Sequence, residues 1–183
     1  MSGISRLKKI LTWTIMSTTV LTMLTLPSAM GNEANEFGFK IIKQQEAKVA
    51  RQLTCLARNV FYEAGSESMR GQMAVAQVTV NRARSGLFPS DLCAVVAQTT
   101  VVEGDRVCQF SWMCDSRVNK NRVIDKNNPS YIAAKKVFVE GERVASIDKN
   151  VMWFHSADIE VNPRWPHKVA AKIGNHVFYK REK

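Results

Sequence analysis

The chain has 183 residues, with 26 basic against 16 acidic side chains and a formal net charge of +10. No internal repeat or low-complexity segment occurs, which excludes a repeat array, and the length suits one ordinary domain with its own core. The positive balance favours anionic polymers as partners: wall glycans, teichoic acids, lipid surfaces or nucleic acid.

Residues 1–31 read as an address. Arg6, Lys8 and Lys9 precede an uncharged, apolar run from Ile10 to Leu26, followed by Pro27 and the small residues Ser28, Ala29 and Gly31. This is the order of a secretory signal peptide, with cleavage expected just before Asn32. A run of 17 residues is also near the lower limit for a membrane span, so a retained anchor is the alternative. In both readings the rest of the chain is exported, to periplasm, cell wall or exterior. After cleavage no stable membrane insertion is expected. Because residues 1–31 carry three basic and no acidic side chains, residues 32–183 keep 23 basic against 16 acidic, a net of +7.

Residues 32–45 are polar and read as a flexible lead-in. From about Glu46, apolar residues at Val49, Ala50, Leu53, Leu56, Ala57, Val60 and Phe61 have helical spacing. Gly65 is a natural stop for that helix, which should end near Tyr62–Gly65. A second helix is expected from Ser66 or Ser68 to about Arg84. Its apolar residues cover much of its circumference, the mark of a central, buried helix. Pro89-Ser90-Asp91 caps a short third helix through Gln98. Residues 99–128 are mixed in period and read as irregular or hairpin. Asn128-Pro129 opens a fourth helix, stopped by Gly141. Val151 to Phe154 reads as a strand, and Val169 to Tyr179 as a hairpin turning at Gly174-Asn175. The sum is an α+β domain over residues 46–183, mostly helical, with a small β portion late in the chain.

All four cysteines lie in the exported part, and an even count there favours disulfides. Cys108 and Cys114 are close enough to close a small loop, leaving Cys55 for Cys93, the favoured of three possible pairings. No CxxC pair exists and His155, His167 and His176 lack a ligand spacing, so no metal is expected.

Glu63 is the most informative position. It ends an apolar helix beside Phe61 and Tyr62. Desolvation there disfavours the carboxylate and raises its pKa, as a general acid at neutral pH requires. The negative end of the helix acts in the same direction. Four residues on, Glu67 has two readings, substrate contact or support of the second helix's start. Gln109 and Ser111 flank Phe110 in a polar–apolar–polar pattern that suits a cleft-lining strand, or a loop pinned by a disulfide. Asp115 reads as a second carboxylate or as a turn residue, the turn being favoured. Trp112, Trp153 and Trp165 offer faces for sugar stacking or serve the core. Trp165, between Pro163-Arg164 and Pro166, is the best groove candidate.

The run Ala57-Arg58-Asn59-Val60-Phe61-Tyr62-Glu63-Ala64, then Glu67, then Gly71-Gln72-Met73-Ala74-Val75-Ala76-Gln77-Val78 and Asn81-Arg82, resembles one family closely. So do Phe88-Pro89, Cys93, Cys108-Gln109-Phe110-Ser111-Trp112 and Cys114-Asp115. The chain is similar, over roughly residues 50–165, to the cell wall hydrolases that include the spore cortex-lytic enzymes. The resemblance implies a lysozyme-like fold of the lytic-transglycosylase type, acting between N-acetylmuramic acid and N-acetylglucosamine. It puts Glu63 at the catalytic glutamate and gives His155 a place near the cleft. One departure is local: the family commonly reads Glu-Ala-Arg-Gly-Glu, where this chain has Glu63-Ala64-Gly65-Ser66-Glu67.

The residues offer one strong acid and no convincing partner carboxylate, so the two-carboxylate route to hydrolysis is not favoured. A substrate-assisted route with Glu63 as acid and base needs no cofactor. It ends in a 1,6-anhydro product if the C6 hydroxyl attacks, or in a reducing end if water attacks. The alternatives are a hydrolytic muramidase or glucosaminidase, a virus-encoded lysis enzyme, a cysteine amidase through Cys55, and a non-catalytic glycan-binding module. The expected partner is the peptidoglycan glycan strand, bound by a monomer. Scattered basic residues and export argue against nucleic acid.

Overall fold

A helix that is buried nearly all round sets the architecture, and its polar residues explain how. The computed structural model describes residues 28–160 and 167–181, with side chains described from residue 35. Its elements are α1 (Ser28–Ala64), α2 (Met69–Arg84), α3 (Leu92–Val96), β1 (Thr99–Val102), β2 (Asp105–Cys108), a 3-10 turn (Ser111–Met113), α4 (Pro129–Phe138), β3 (Val151–Ser156), β4 (His167–Ile173) and β5 (His176–Arg181). Lys48–Lys183 forms one compact unit, and the stretch up to Ala47 belongs to another. The α+β class, mostly helical with small sheets, is as expected from the sequence.

From Gly71 to Arg82, α2 buries every residue but Met73. Ala74, Val75 and Val78 join Leu53, Leu56, Ala57 and Val60 of α1, Ala133, Ala134 and Val137 of α4, and Phe178 of β5 in one core. The buried polar residues of α2 serve the irregular segment between α4 and β3. Gln77 donates to the Ile147 carbonyl and accepts from the Val144 N–H at 2.8 Å. Asn81 donates to the Asp148 and Val151 carbonyls at 2.8 and 3.0 Å, and Arg82 Nε to the Met152 carbonyl at 2.6 Å. A segment without regular structure can be buried only if its backbone finds such partners.

Strands β3, β5 and β4 form an antiparallel sheet in that order, with the tight turn between β4 and β5 at Gly174-Asn175. Segment 99–108 is a hairpin whose turn residues Glu103 and Gly104 both have positive φ, 53° and 91°, the twist-matched turn of a two-residue loop. Caps fall where the sequence places them: Ser68 for α2, Asp91 for α3 and Asn128 for α4. Cys55 is bonded to Cys93 and Cys108 to Cys114.

One expectation is corrected. The helix expected from about Glu46 begins at Ser28, so residues 32–45, read as a flexible lead-in, lie on α1. Ala34, Glu36, Lys40, Gln44 and Gln45 are strong helix formers, and the single Gly38 costs too little to break the run. Most of the expected signal segment, residues 1–27, lies outside the described residues. No helix among those described is long and apolar enough to cross a membrane.

Candidate active site

Glu63 sits one residue before the end of α1, where the chain turns sharply. A Cβ on Gly65 would lie 2.5 Å from the Phe61 carbonyl oxygen, so this exit suits glycine at the position where the family commonly has arginine. The residues before Glu63 are fixed from two sides. Tyr62 stacks on Trp112 with centroids 4.7 Å apart, and its hydroxyl donates to the Asn119 carbonyl at 2.8 Å. The Trp112 indole donates to buried Asn59 at 3.0 Å, and Asn59 donates to Thr79 at 3.2 Å. An aromatic stack and a satisfied buried amide thus hold the last turn of α1 in register with α2.

The Glu63 carboxyl is half-buried, and burial pushes its pKa up to about 7 against the opposing charge of Arg82. Arg82 is itself buried, and burial lowers its pKa to about 10, with Glu63 acting the other way. Its guanidinium lies between two rings, 5.4 Å from the Phe88 centroid and 5.1 Å from that of Phe110. Nε is bonded to the Met152 carbonyl, while Nη1 is buried without a hydrogen-bond partner. An unsatisfied guanidinium N–H near a carboxyl favours the charged form of that carboxyl, against the burial that disfavours it.

The residues expected at the site divide into three groups. Gln109 and Ser111 are exposed on either side of buried Phe110, whose ring centroid lies 5.1 Å from the Arg82 guanidinium. Glu67 is engaged elsewhere. Its Oε1 accepts from the Asn175 N–H at 3.1 Å and lies 3.8 Å from His176 Nδ1, while Oε2 packs against Gly174. The carboxyl therefore hydrogen-bonds to the β4–β5 turn, not to the start of the second helix expected for it. Asp115 accepts from the Arg117 N–H, Nε and Nη2, a turn held by its own ion pair, and those bonds lower its pKa to about 2. His155 is bound at both ring nitrogens, Nδ1 2.6 Å from the Ser156 carbonyl and Nε2 2.6 Å from the Tyr179 hydroxyl. Since a carbonyl only accepts, Nδ1 carries the proton and Nε2 accepts from Tyr179. Trp165 lies outside the described residues.

The fit at Glu67 and the backbone angle both favour glycine at position 174. A Cβ there would fall 1.8 Å from Glu67 Oε2, and the φ of +56° is itself unfavourable for other residues. Gly174→Ala is expected to cost roughly 1–3 kcal/mol of stability, read as a lowered thermal midpoint. A midpoint equal to the wild type's would refute this packing.

Arg82 was within the recognised motif, but its role was not foreseen. The available signal was a cation directly following the apolar face of α2, where a charge has to be paired or functional. Tyr179 and Asn59 gave no such signal.

The sequence matches the cell wall hydrolase family over residues 66–179, more than half of the chain. The chain belongs to the cell wall hydrolase family. Its matched segment opens three residues after Glu63 and takes in α2, both sheets and the Cys108–Cys114 loop. Among solved structures, this cell wall hydrolase is similar to the catalytic domain of the Bacillus cereus SleB protein, at 22% identity and a TM-score of 0.53, covering 70% of this chain and 89% of that one. It is equally similar to the catalytic domain of the germination-specific lytic transglycosylase SleB from Bacillus anthracis, at 23% identity and a TM-score of 0.53, covering 70% and 93%. At those identities the likeness establishes the fold. No curated protein matches the chain.

Proposed function

We propose that this cell wall hydrolase cleaves the peptidoglycan glycan strand between N-acetylmuramic acid and N-acetylglucosamine, as a lytic transglycosylase with Glu63 as acid and base. The observation that carries the reading is the Glu63 carboxyl itself, raised to about 7 by burial and perturbed by one charged neighbour, Arg82. Among the described residues no second carboxylate perturbs it. Glu67 is held by the Asn175 N–H and Asp115 by Arg117. An acid near its own pKa at neutral pH is well placed to donate a proton and then take one back.

In this route protonated Glu63 gives its proton to the glycosidic oxygen as the C1–O bond breaks. The N-acetyl carbonyl of the muramic sugar stabilises C1. The carboxylate left behind is supported by Arg82 and accepts the proton of the C6 hydroxyl as that oxygen bonds to C1. The products are a 1,6-anhydromuramic end and a free N-acetylglucosamine hydroxyl, with Glu63 restored and no water consumed. Attack by water at the same C1 would give a reducing end. The lytic transglycosylase of the same fold from Bacillus anthracis favours the anhydro outcome here. Gln109 and Ser111, exposed beside Phe110, are the polar groups proposed to bind the sugars.

The test is mass spectrometry of fragments released from purified peptidoglycan by the chain with its disulfides formed. Anhydromuramic ends support the proposal, and reducing ends redirect it to a muramidase or glucosaminidase. No glycan cleavage would refute it and leave a binding module. The pH profile is a second check. The acid form of Glu63 is lost as the pH rises through about 7, so kcat/KM should fall about tenfold per unit above that value. A rate still rising at pH 9 would rule out Glu63 as the acid.

A further inference from the structure

We propose that the cavity beside the C-terminal end of α2 is an accessory subsite for the free carboxylates of the peptides that hang from the glycan strand. This rests on peptidoglycan being the substrate, and it concerns a site separate from Glu63. The cavity has a volume of about 840 Å³, and Glu63 does not line it.

Three cations line it, Arg84, Arg143 and Lys149, against one carboxylate, Asp148. Asp148 is already engaged: Oδ1 accepts from the Asn150 N–H at 2.7 Å, and Oδ2 lies 3.9 Å from Lys180 Nζ. Arg143 is anchored through Nη1 to the Val137 and Glu142 carbonyls, each at 2.7 Å. Both acceptors are neutral, so its charge stays uncancelled. Burial holds its guanidinium below the ordinary range, and the Arg84 charge adds to the effect. Among the described residues Arg84 and Lys149 have neither hydrogen bond nor ion pair, and both are exposed. Two guanidinium groups and one ammonium facing the same space outnumber its one carboxylate and favour an anion, and the guanidinium fork geometry suits a carboxylate or a phosphate.

The rest of the lining chooses between those two. The polar side chains Gln77 and Asn81 are committed to the backbone of residues 144–151, as described above. The Ser85 hydroxyl is likewise committed, to the Arg82 carbonyl and the Leu87 N–H. Besides Asn150, what remains is apolar: Leu87, Val144, Ala145, Ile147 and Met152. A short peptide with alanine methyls and an aliphatic diamino acid covers such a floor while its carboxylates meet the rim. A polyol phosphate has no apolar surface to offer it.

The experiment is a calorimetric titration of the full chain with the soluble tetrapeptide L-Ala–γ-D-Glu–meso-diaminopimelate–D-Ala, beside a poly(glycerol phosphate) oligomer of similar charge. The tetrapeptide should bind saturably, on the order of 1 mM or tighter, and more weakly as salt is added. Arg84→Glu combined with Lys149→Glu should weaken binding at least about tenfold, with an unchanged thermal midpoint because neither side chain has an internal partner. Glu63→Gln should bind as the wild type does. Absence of saturable tetrapeptide binding, equal binding by the double variant, or tighter binding of the phosphate polymer would overturn the proposal. Binding is read without turnover, so a chain that binds peptide but cuts no glycan would refute the catalytic reading and leave the subsite standing. Cleavage without peptide binding would do the reverse.

Discussion

Glu63→Gln is expected to lower glycan cleavage by at least about 10³-fold and, above neutral pH, to make the fold more stable. Glutamine keeps the shape and removes the transferable proton, so both anhydro and reducing-end products should disappear together. The stability effect follows from linkage. The folded-state pKa is raised to about 7 from an ordinary value of 4.5, so the folded chain holds this proton more tightly than the unfolded chain does. The associated stability is fully present below about pH 4.5 and is lost as the pH rises through about 7. A shift of that size corresponds to at most about 3 kcal/mol, less whatever solvent screening the half-buried position allows. Denaturant unfolding at pH 4 and pH 8 reads it: the two proteins should match at pH 4, and the variant should be the more stable at pH 8. A stability difference independent of pH would mean that Glu63 is an ordinary solvated carboxylate.

The other large effect is expected at the Cys55–Cys93 bridge. It spans 38 residues and ties α1 to the segment that opens α3. Loop entropy assigns it about 4 kcal/mol, against about 2 for the short Cys108–Cys114 bridge. Replacing Cys55 and Cys93 together by serine should lower the thermal midpoint by roughly 10 °C or more. The Arg51–Asp91 ion pair and the Leu92 N–H bond to Gln52, 3.0 Å, would still join the same two segments. Activity at low temperature should therefore persist, since Glu63 is positioned by the α1 core and the Tyr62–Trp112 stack. A smaller midpoint loss than in the Cys108→Ser, Cys114→Ser protein would show that chain entropy is not what these bridges supply.

The helices, their caps and the final hairpin were legible because each rests on local chemistry. Ser68, Asp91 and Asn128 cap helices through their own side chains, and Gly174 supplies the positive φ of the last turn. The apolar spacing of α1 and the breadth of apolar residues on α2 also place both in the core without any knowledge of the neighbours. The early start of α1 is not marked in the sequence because residues 32–45 are polar and carry no apolar periodicity, although they favour a helix whether or not it is buried.

Glu63 stands out as a candidate from one chain because its environment is set by adjacent residues, the apolar turn before it and the glycine exit after it. The sequence likewise established the family, the α+β class and the even set of cysteines. Tertiary structure alone decided what Glu63 and its companions face. Arg82 meets Phe88 and Phe110 only when the loops after α2 fold back over it, and Glu67 reaches Asn175, 108 positions away, only once β4 and β5 have turned. The cationic cavity joins the end of α2 to residues 143–152 in the same way. Local spacing fixes which face of an element is apolar, but electrostatic partners are chosen by distance in space, and packing brings together charges that sequence order leaves apart.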